Sequence, residues 1–592
     1  MRFASLLPIV FASTALASYH PKHPKHKDPH AGNDEYIKKL DKANSDVLLH
    51  QTTGVESGLD PGVVSAVIPD PKFPEYSLYW LRDACLVYDM WLNRLIEKKD
   101  TSLRPLADDI MHALIRTQHV VSLSGDMFTG GLEEPVFYYN ISMILNLSYR
   151  PGSPAADGPP FRGGIMMKYA HWLLEPEAKN SSAWVAQNLW PAINLDLKWI
   201  STHWNSSSYD LWWPPIWGGS YWTAALQYRT LRGGAALGRR LNILQDVVDY
   251  EQKANLVLDY MQTFWNPTDG FMSETTDVDL TQGRTGPGSA PHTATIYNFD
   301  ITRGCDDLTL QPCSPRSLSN MRVLGDRFKK YWPTLCDKVP KSKPCYYGFF
   351  TEDEFIGGHP QFFATYNVAE VIYDAIHTWD VLGHVEVTDV SLKFWAPLIR
   401  DVKVGKHKKG HKGYETLIKA ARYWAEDIMS LLASKTPKDY VLTEVVNKTT
   451  NEPGGPRGMI RSLTAALSAA DTRGGMVPRP WDGRKPNTKP HHASEGAEFA
   501  PWDAGENWVI LNKPGSDSYE SDDSYDSYTD EMTGSAFSAQ EQEYLEALYA
   551  GKECDMKPKA NERIELKVDR TGFRTSMQGH RFQRVAEEMG WM

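Results

Sequence analysis

From about residue 34 to 485, apolar residues recur at spacings of three and four, between loops rich in Gly, Pro and Trp. Leu86, Met90, Leu92 and Leu95 illustrate the spacing, which lays one stripe of a helix against a core. The pattern predicts helices over 83–99, 105–121, 162–176, 184–202, 219–238, 241–264, 315–331, 364–383, 387–402, 413–433 and 457–469. Strand-like alternation is scarce. About a dozen helices joined by long loops, with no short solenoid repeat, predict an all-α toroid rather than several domains.

Local composition refines this picture. Gly233-Gly-Ala-Ala-Leu-Gly238 falls inside a helical pattern with no strand before it. Close helix packing therefore explains it better than a dinucleotide loop. Residues 403–412 form a Gly/His/Lys insertion, expected as a solvated surface loop. Residues 514–530 are mostly Ser, Asp, Glu and Tyr and lack the apolar mass to fold. Ser538-Ala-Gln-Glu541 resembles a capping box, opening a short helix that ends near Gly551. The expected layout is a leader over 18–33, the toroid over 34–485 and an acidic, low-complexity tail over 486–592.

The first 17 residues read as a secretory signal: Arg2, then an apolar run from Leu6 to Ala12, then Ala15-Leu16-Ala17 as a cleavage pattern. No later run is long and apolar enough to span a membrane, so no membrane partner is expected. Asn140, Asn146, Asn180, Asn205 and Asn447 are glycosylation sequons, consistent with an extracellular, secreted protein. His20, His23, His26 and His30 alternate with Pro and Lys, which favours a mobile leader over a metal site. The six cysteines include Cys305/Cys313 and Cys336/Cys345, each pair enclosing a short polar loop with Pro, and these are expected to pair. No CxxC or Cys/His spacing supports zinc, and no metal or cofactor is expected.

A net charge of −11 over 592 residues gives no support for nucleic-acid binding. There is no phosphate-binding loop, nucleophile elbow, HExxH or EF-hand loop. What stands out is 20 Trp, 28 Tyr and 20 Phe, many in loops that also carry Arg or carboxylates. These loops are Tyr76–Asp83, Gly131–Phe137, Asp157–Arg162, Tyr209–Thr223 and Glu352–Pro360. Ring faces stack on sugar C–H surfaces, and Asp and Arg bind paired hydroxyls. For any single loop, packing plus a structural ion pair is the alternative.

Taken together, the loops resemble the secreted fungal glucoamylases, inverting glycoside hydrolases built on an (α/α)6 barrel. Trp80-Leu-Arg82-Asp83, with Tyr76 ahead of it, is similar to the family's Trp-x-Arg-Asp loop. Gly131-Leu-Glu-Glu134-Pro-x-Phe137, Asp157-Gly-Pro with Arg162, and Tyr209-Asp210-Leu-Trp212 resemble three further family motifs. The segment from Cys305 to Arg316 is close to the family's disulfide loop. The resemblance implies an (α/α)6 toroid that hydrolyses α-glucans (starch and maltooligosaccharides) from their non-reducing ends, as a monomer. It implies that Tyr76, Arg82, Asp83, Asp210 and Trp212 contact sugar. It also implies that Glu444, in Leu442-Thr443-Glu444-Val445, is the general base.

The family's acid is absent. Where it has two glutamates after Tyr-Asp-Leu-Trp, this chain reads Trp213-Pro214-Pro215, and no side chain there donates a proton. Glu133, Glu134 and Glu352 are the substitute candidates. Phe349 stands at a family arginine and Arg461 at a family tryptophan, so the scaffold persists while sugar-facing positions differ. The alternative is a glucan-binding protein without turnover on the same toroid. No starch-binding domain is recognisable in 486–592.

Overall fold

The computed structural model describes residues 29–53, 58–144, 155–179, 181–207, 211, 219–276, 286–351 and 355–485. The signal-like segment, most of the leader, the tail helix and tail lie outside these residues, as do Asn146, Asn180, Tyr209, Asp210, Trp212, Trp213, Pro214, Pro215, Glu352 and Cys554.

Among the described residues, twelve helices form two concentric rings. The inner ring is Leu81–Glu97, Gly158–Leu173, Tyr221–Leu241, Ala290–Tyr297, Phe362–Leu382 and Ile460–Arg473. Each packs on the next, and Ile460–Arg473 closes the ring against Leu81–Glu97. The outer ring is Asn33–Thr53, Arg104–Gln118, Trp190–His203, Val247–Gln262, Pro315–Tyr331 and Lys412–Ala433. This is the (α/α)6 toroid expected from the loops.

Burial separates the rings. In Leu81–Glu97 every residue but Glu97 is buried, polar ones included. Val247–Gln262 buries only Val247, Tyr250, Ala254, Val257 and Met261, the three-and-four spacing of a helix with one covered face. The glycine run behaves as close packing requires. A Cβ on Gly234 would meet Leu197 side-chain atoms at 2.5 Å, and one on Gly238 would lie 2.9 Å from the Ile243 carbonyl oxygen.

Three expectations needed correction. Residues 387–402 are not a helix. His384–Val387 is a strand paired with Gly405–Lys408, and only Leu392–Trp395 is helical, ending just before Pro397. The span 184–202 divides into Ser182–Asn188 and Trp190–His203, with Pro191 at the start of the second helix. Of the leader histidines, His30 is described and is docked, its Nε2 lying 2.9 Å from Asp427 Oδ1.

Disulfides join Cys305 to Cys313 and Cys336 to Cys345. Among the described residues, no helix is long and apolar enough to cross a membrane. Asn140 and Asn205 are exposed. Asn447 is half-buried, and its Oδ1 accepts from the amides of Thr449 and Thr450.

Deeper in the inner ring lies a second polar layer. Asp89, Asn93, Lys168, Arg229, Glu370, Asp374 and Ser468 line a cavity of about 20 Å³, room for a single water. Lys168 pairs with Asp89, Ser468 donates to Glu370, and Asp374 Oδ1 has no partner among the described residues.

Candidate active site

The candidate side chains gather at the N-terminal ends of inner helices. Strand Tyr79–Trp80 pairs antiparallel with Val136–Phe137, and the Leu81 amide donates to the Pro135 carbonyl at 2.9 Å. The Gly131–Phe137 loop thereby fixes the start of Leu81–Glu97 and puts Arg82 and Asp83 in its first turn. Asp83 suits that place, because the positive end of the helix dipole favours a carboxylate.

Arg82 meets its charge requirement at once. It forms a two-pronged ion pair with Asp157, and its Nη1 donates to the Leu211 carbonyl at 3.3 Å. Asp157 occupies the N-cap of Gly158–Leu173 yet caps no amide with its side chain. Its carboxylate takes Arg82 and, at 2.8 Å, the Trp222 indole N–H instead. Arg162, fully buried, is held by Asp196 at 2.5 and 3.0 Å and donates to the Leu132 carbonyl at 3.2 Å. That contact ties the Gly131–Glu133 turn to the inner ring.

Glu444 enters from the opposite side of the ring closure. It lies on strand Thr443–Val446, paired with Pro453–Arg457, at a register shift between Thr443 and Val445. Two residues, Gly455 and Pro456, face the single Glu444 there. Such a bulge re-aims a side chain. Gly455 adopts φ +77°, and a Cβ on it would lie 3.0 Å from Glu444 Cβ and 3.3 Å from Oε2.

Arg461, in the first turn of Ile460–Arg473, joins the two halves. Its Nη2 donates to Glu444 Oε1 at 3.0 Å, and its Nε lies 3.7 Å from Asp83 Oδ2. Its guanidinium lies 5.8 Å from the Phe349 ring centroid. Glu444 Oε2 has no hydrogen-bond partner among the described residues. Burial pushes the Glu444 carboxyl up to about 7, against the lowering pull of Arg461. Burial likewise raises Asp83, opposed by Arg461 and Arg82.

The structure separates the substitute acids. Glu133 is buried, takes the outer-ring Trp199 indole N–H at 2.9 Å on Oε1, and is pushed by burial to about 7. Glu134 is half-buried and accepts from Ser124 Oγ at 2.9 Å. Tyr76 is half-buried, packed edge-on to Phe73, with its phenol close enough to act on Arg461. Sequence reasoning noted Arg461 only as a departure and missed Trp222. One signal for Arg461 was available: a cation in the first turn of a helix opposes the dipole and needs a carboxylate nearby.

Buried carboxylates and guanidinia, set among aromatics at one end of a double helical ring, form the candidate site. Comparison with known proteins makes this specific. The profile of glycosyl hydrolases family 15 matches residues 47–471, and the chain belongs to that family. It is 32% identical over 423 residues to Glucoamylase-1 of Schizophyllum commune, covering 71% of each protein. It is 30% identical over 440 residues to the glucoamylase of Neurospora crassa, covering 74% of this chain and 67% of that one. The solved family 15 glucoamylase of Hypocrea jecorina superposes with a TM-score of 0.71 at 28% identity, over 77% of this chain and 75% of that one. Hormoconis resinae glucoamylase gives 0.70 at 28% identity, over 77% and 76%.

Proposed function

We propose that the protein is a secreted glucan 1,4-α-glucosidase that releases glucose from the non-reducing ends of starch and maltooligosaccharides with inversion. One observation carries this reading. Glu444 Oε1 is anchored by Arg461 while Oε2 has no partner among the described residues, beside Asp83 and at the loop-bearing end of the ring. A carboxylate held by one oxygen has the other to take a proton from water. The glucoamylase relatives support the substrate class. Arg82, Asp83 and Tyr76 are the described residues assigned to the terminal sugar. Asp210 and Trp212 are assigned to it from the sequence alone.

Inversion needs a second carboxyl roughly 6.5–9.5 Å from the base, to admit the water. Of the substitutes, Glu133 suits an acid best, because burial keeps its proton on up to about pH 7. A second reading, glucan binding without turnover, is supported by the Arg461 ion pair on the base and by Trp213-Pro214 at the acid position.

The test is glucose release from maltose and soluble starch by the purified protein, beside Glu444→Gln and Glu133→Gln. Release that falls about 10²–10⁴-fold in both variants supports hydrolysis with this pair. Release no greater than that of Glu444→Gln rejects it. Binding of an acarbose-like inhibitor without turnover then marks the second reading.

A further inference from the structure

Among the described residues, the sheet of His384–Val387 and Gly405–Lys408 pairs only with itself. Its register sets His384 opposite Lys408 and Glu386 opposite Lys406. Strand alternation leaves Lys406 and Lys408 exposed on one face. Lys403, Lys409 and Lys412 are exposed beside them, so residues 403–412 hold five lysines and no carboxylate. Lys409 pairs with Asp380, while Lys403, Lys406, Lys408 and Lys412 have no ion pair among the described residues. Apart from Asp380 on Lys409 and Glu386 across the strand pair, this face presents unneutralised like charge. Like charges crowded on a small sheet destabilise it unless something offsets them.

The sequence holds a complement. Segment 517–531 carries seven carboxylates and no basic residue. It begins 32 residues after Lys485, where the described chain ends. That many residues span up to about 105 Å. A domain of about 450 residues has a radius of gyration of roughly 22 Å, so the segment reaches any point on the domain's surface.

We propose that the basic face of this sheet is the docking site of the chain's own acidic segment, 517–531. Single exposed ion pairs are weak, about 0.2–1 kcal/mol each. Several acting together on a tether need little affinity, because a tethered partner is present at an effective concentration on the order of millimolar. The contact is electrostatic, so it is strong at low ionic strength and lost near 1 M salt, where the Debye length falls to about 3 Å.

The experiment uses the full chain. A zero-length carbodiimide joins touching amines and carboxylates, and peptide mass spectrometry maps the links. At low salt we expect links from Lys403, Lys406, Lys408 or Lys412 to carboxylates within 517–531. Their yield should drop at least about tenfold in 1 M NaCl. It should drop as far in a Lys406→Glu/Lys408→Glu/Lys412→Glu variant whose melting temperature matches the parent. Links spread evenly over the other surface lysines, or none to 517–531, overturn the proposal. A mixture of ¹⁴N- and ¹⁵N-labelled chains distinguishes occupants, and links mainly between heavy and light chains overturn docking within one molecule. Glucose release is not the readout, so the result is independent of the hydrolase reading.

Discussion

Arg461 Nη2 lies 3.0 Å from Glu444 Oε1, with a second contact from its Nε to Asp83 at 3.7 Å. One guanidinium thus ties the proposed base, from the strand that precedes the last inner helix, to a carboxylate in the first turn of the first inner helix. Burial, helped by the nearby Asp83 charge, drives the Glu444 carboxyl upward, and Arg461 opposes it.

The pH dependence of hydrolysis follows. A general base works deprotonated, so the kcat/KM limb governed by Glu444 rises with pH through about 7, and the loss of the Glu133 proton over the same range turns the profile into a narrow bell. Arg461→Met removes the opposing charge and should move that limb to higher pH. A pH–rate profile of both proteins on maltose checks this. An unmoved limb would mean that Glu444 is not the group titrating.

Gly455→Ala should damage both stability and activity. The position has φ +77°, where an L-residue costs about 1–2 kcal/mol, and the new Cβ presses on Glu444. Thermal melts should show a lower melting temperature, and glucose release should fall further than the loss of folded protein explains.

The pair Arg162–Asp196 is fully buried. Arg162→Met strands a carboxylate in the core and should cost about 3–5 kcal/mol in urea unfolding. Arg162→Met/Asp196→Leu should recover most of that loss, because no lone charge is left behind. A double variant as unstable as the single one would count against this account.

Stability itself should depend on pH. Burial raises Glu133 and Glu444 to about 7, and raises Glu370 and Asp374, which face Asp89, Asp471, Lys168 and Arg229. A folded-state value above the unfolded one means the native state holds the proton more tightly. That contribution is complete below the unfolded carboxyl value of about 4.3 and is lost as pH rises through the folded value. Buried His171 and His292, lowered to about 3, act oppositely, and their contribution is complete only above about 6.5. Above that pH the carboxyls alone govern these changes, so melting temperature should fall from about pH 6.5 to 8. Glu370→Gln should flatten the fall, and a flat or rising curve in the parent would contradict it.

Periodicity located long helices of both rings, the wholly buried Leu81–Glu97 as well as the one-faced Val247–Gln262. Ala290–Tyr297 escaped notice because its 8 residues span little more than two turns, too few to set a period. Asn33–Thr53 escaped because its inward row, Tyr36, Leu40, Asn44 and Leu48, includes a polar residue. Asn44 is tolerated there because its side chain donates to the Leu40 and Tyr440 carbonyls. Over 387–402 apolar spacing misled, since the insertion at 403–412 supplies a strand partner and Pro397 limits helix growth.

By itself the sequence determined the helices of the double ring and the disulfide pairs, because each is written in local spacing and residue type. Only the tertiary structure decided which charges meet. Arg82 and Asp157 are 75 residues apart, and Arg461 and Asp83 are farther still. In a buried site the partner that neutralises a charge is fixed by ring closure, not by chain proximity, so the contact of Arg461 with Asp83 became visible only once the last inner helix lay against the first.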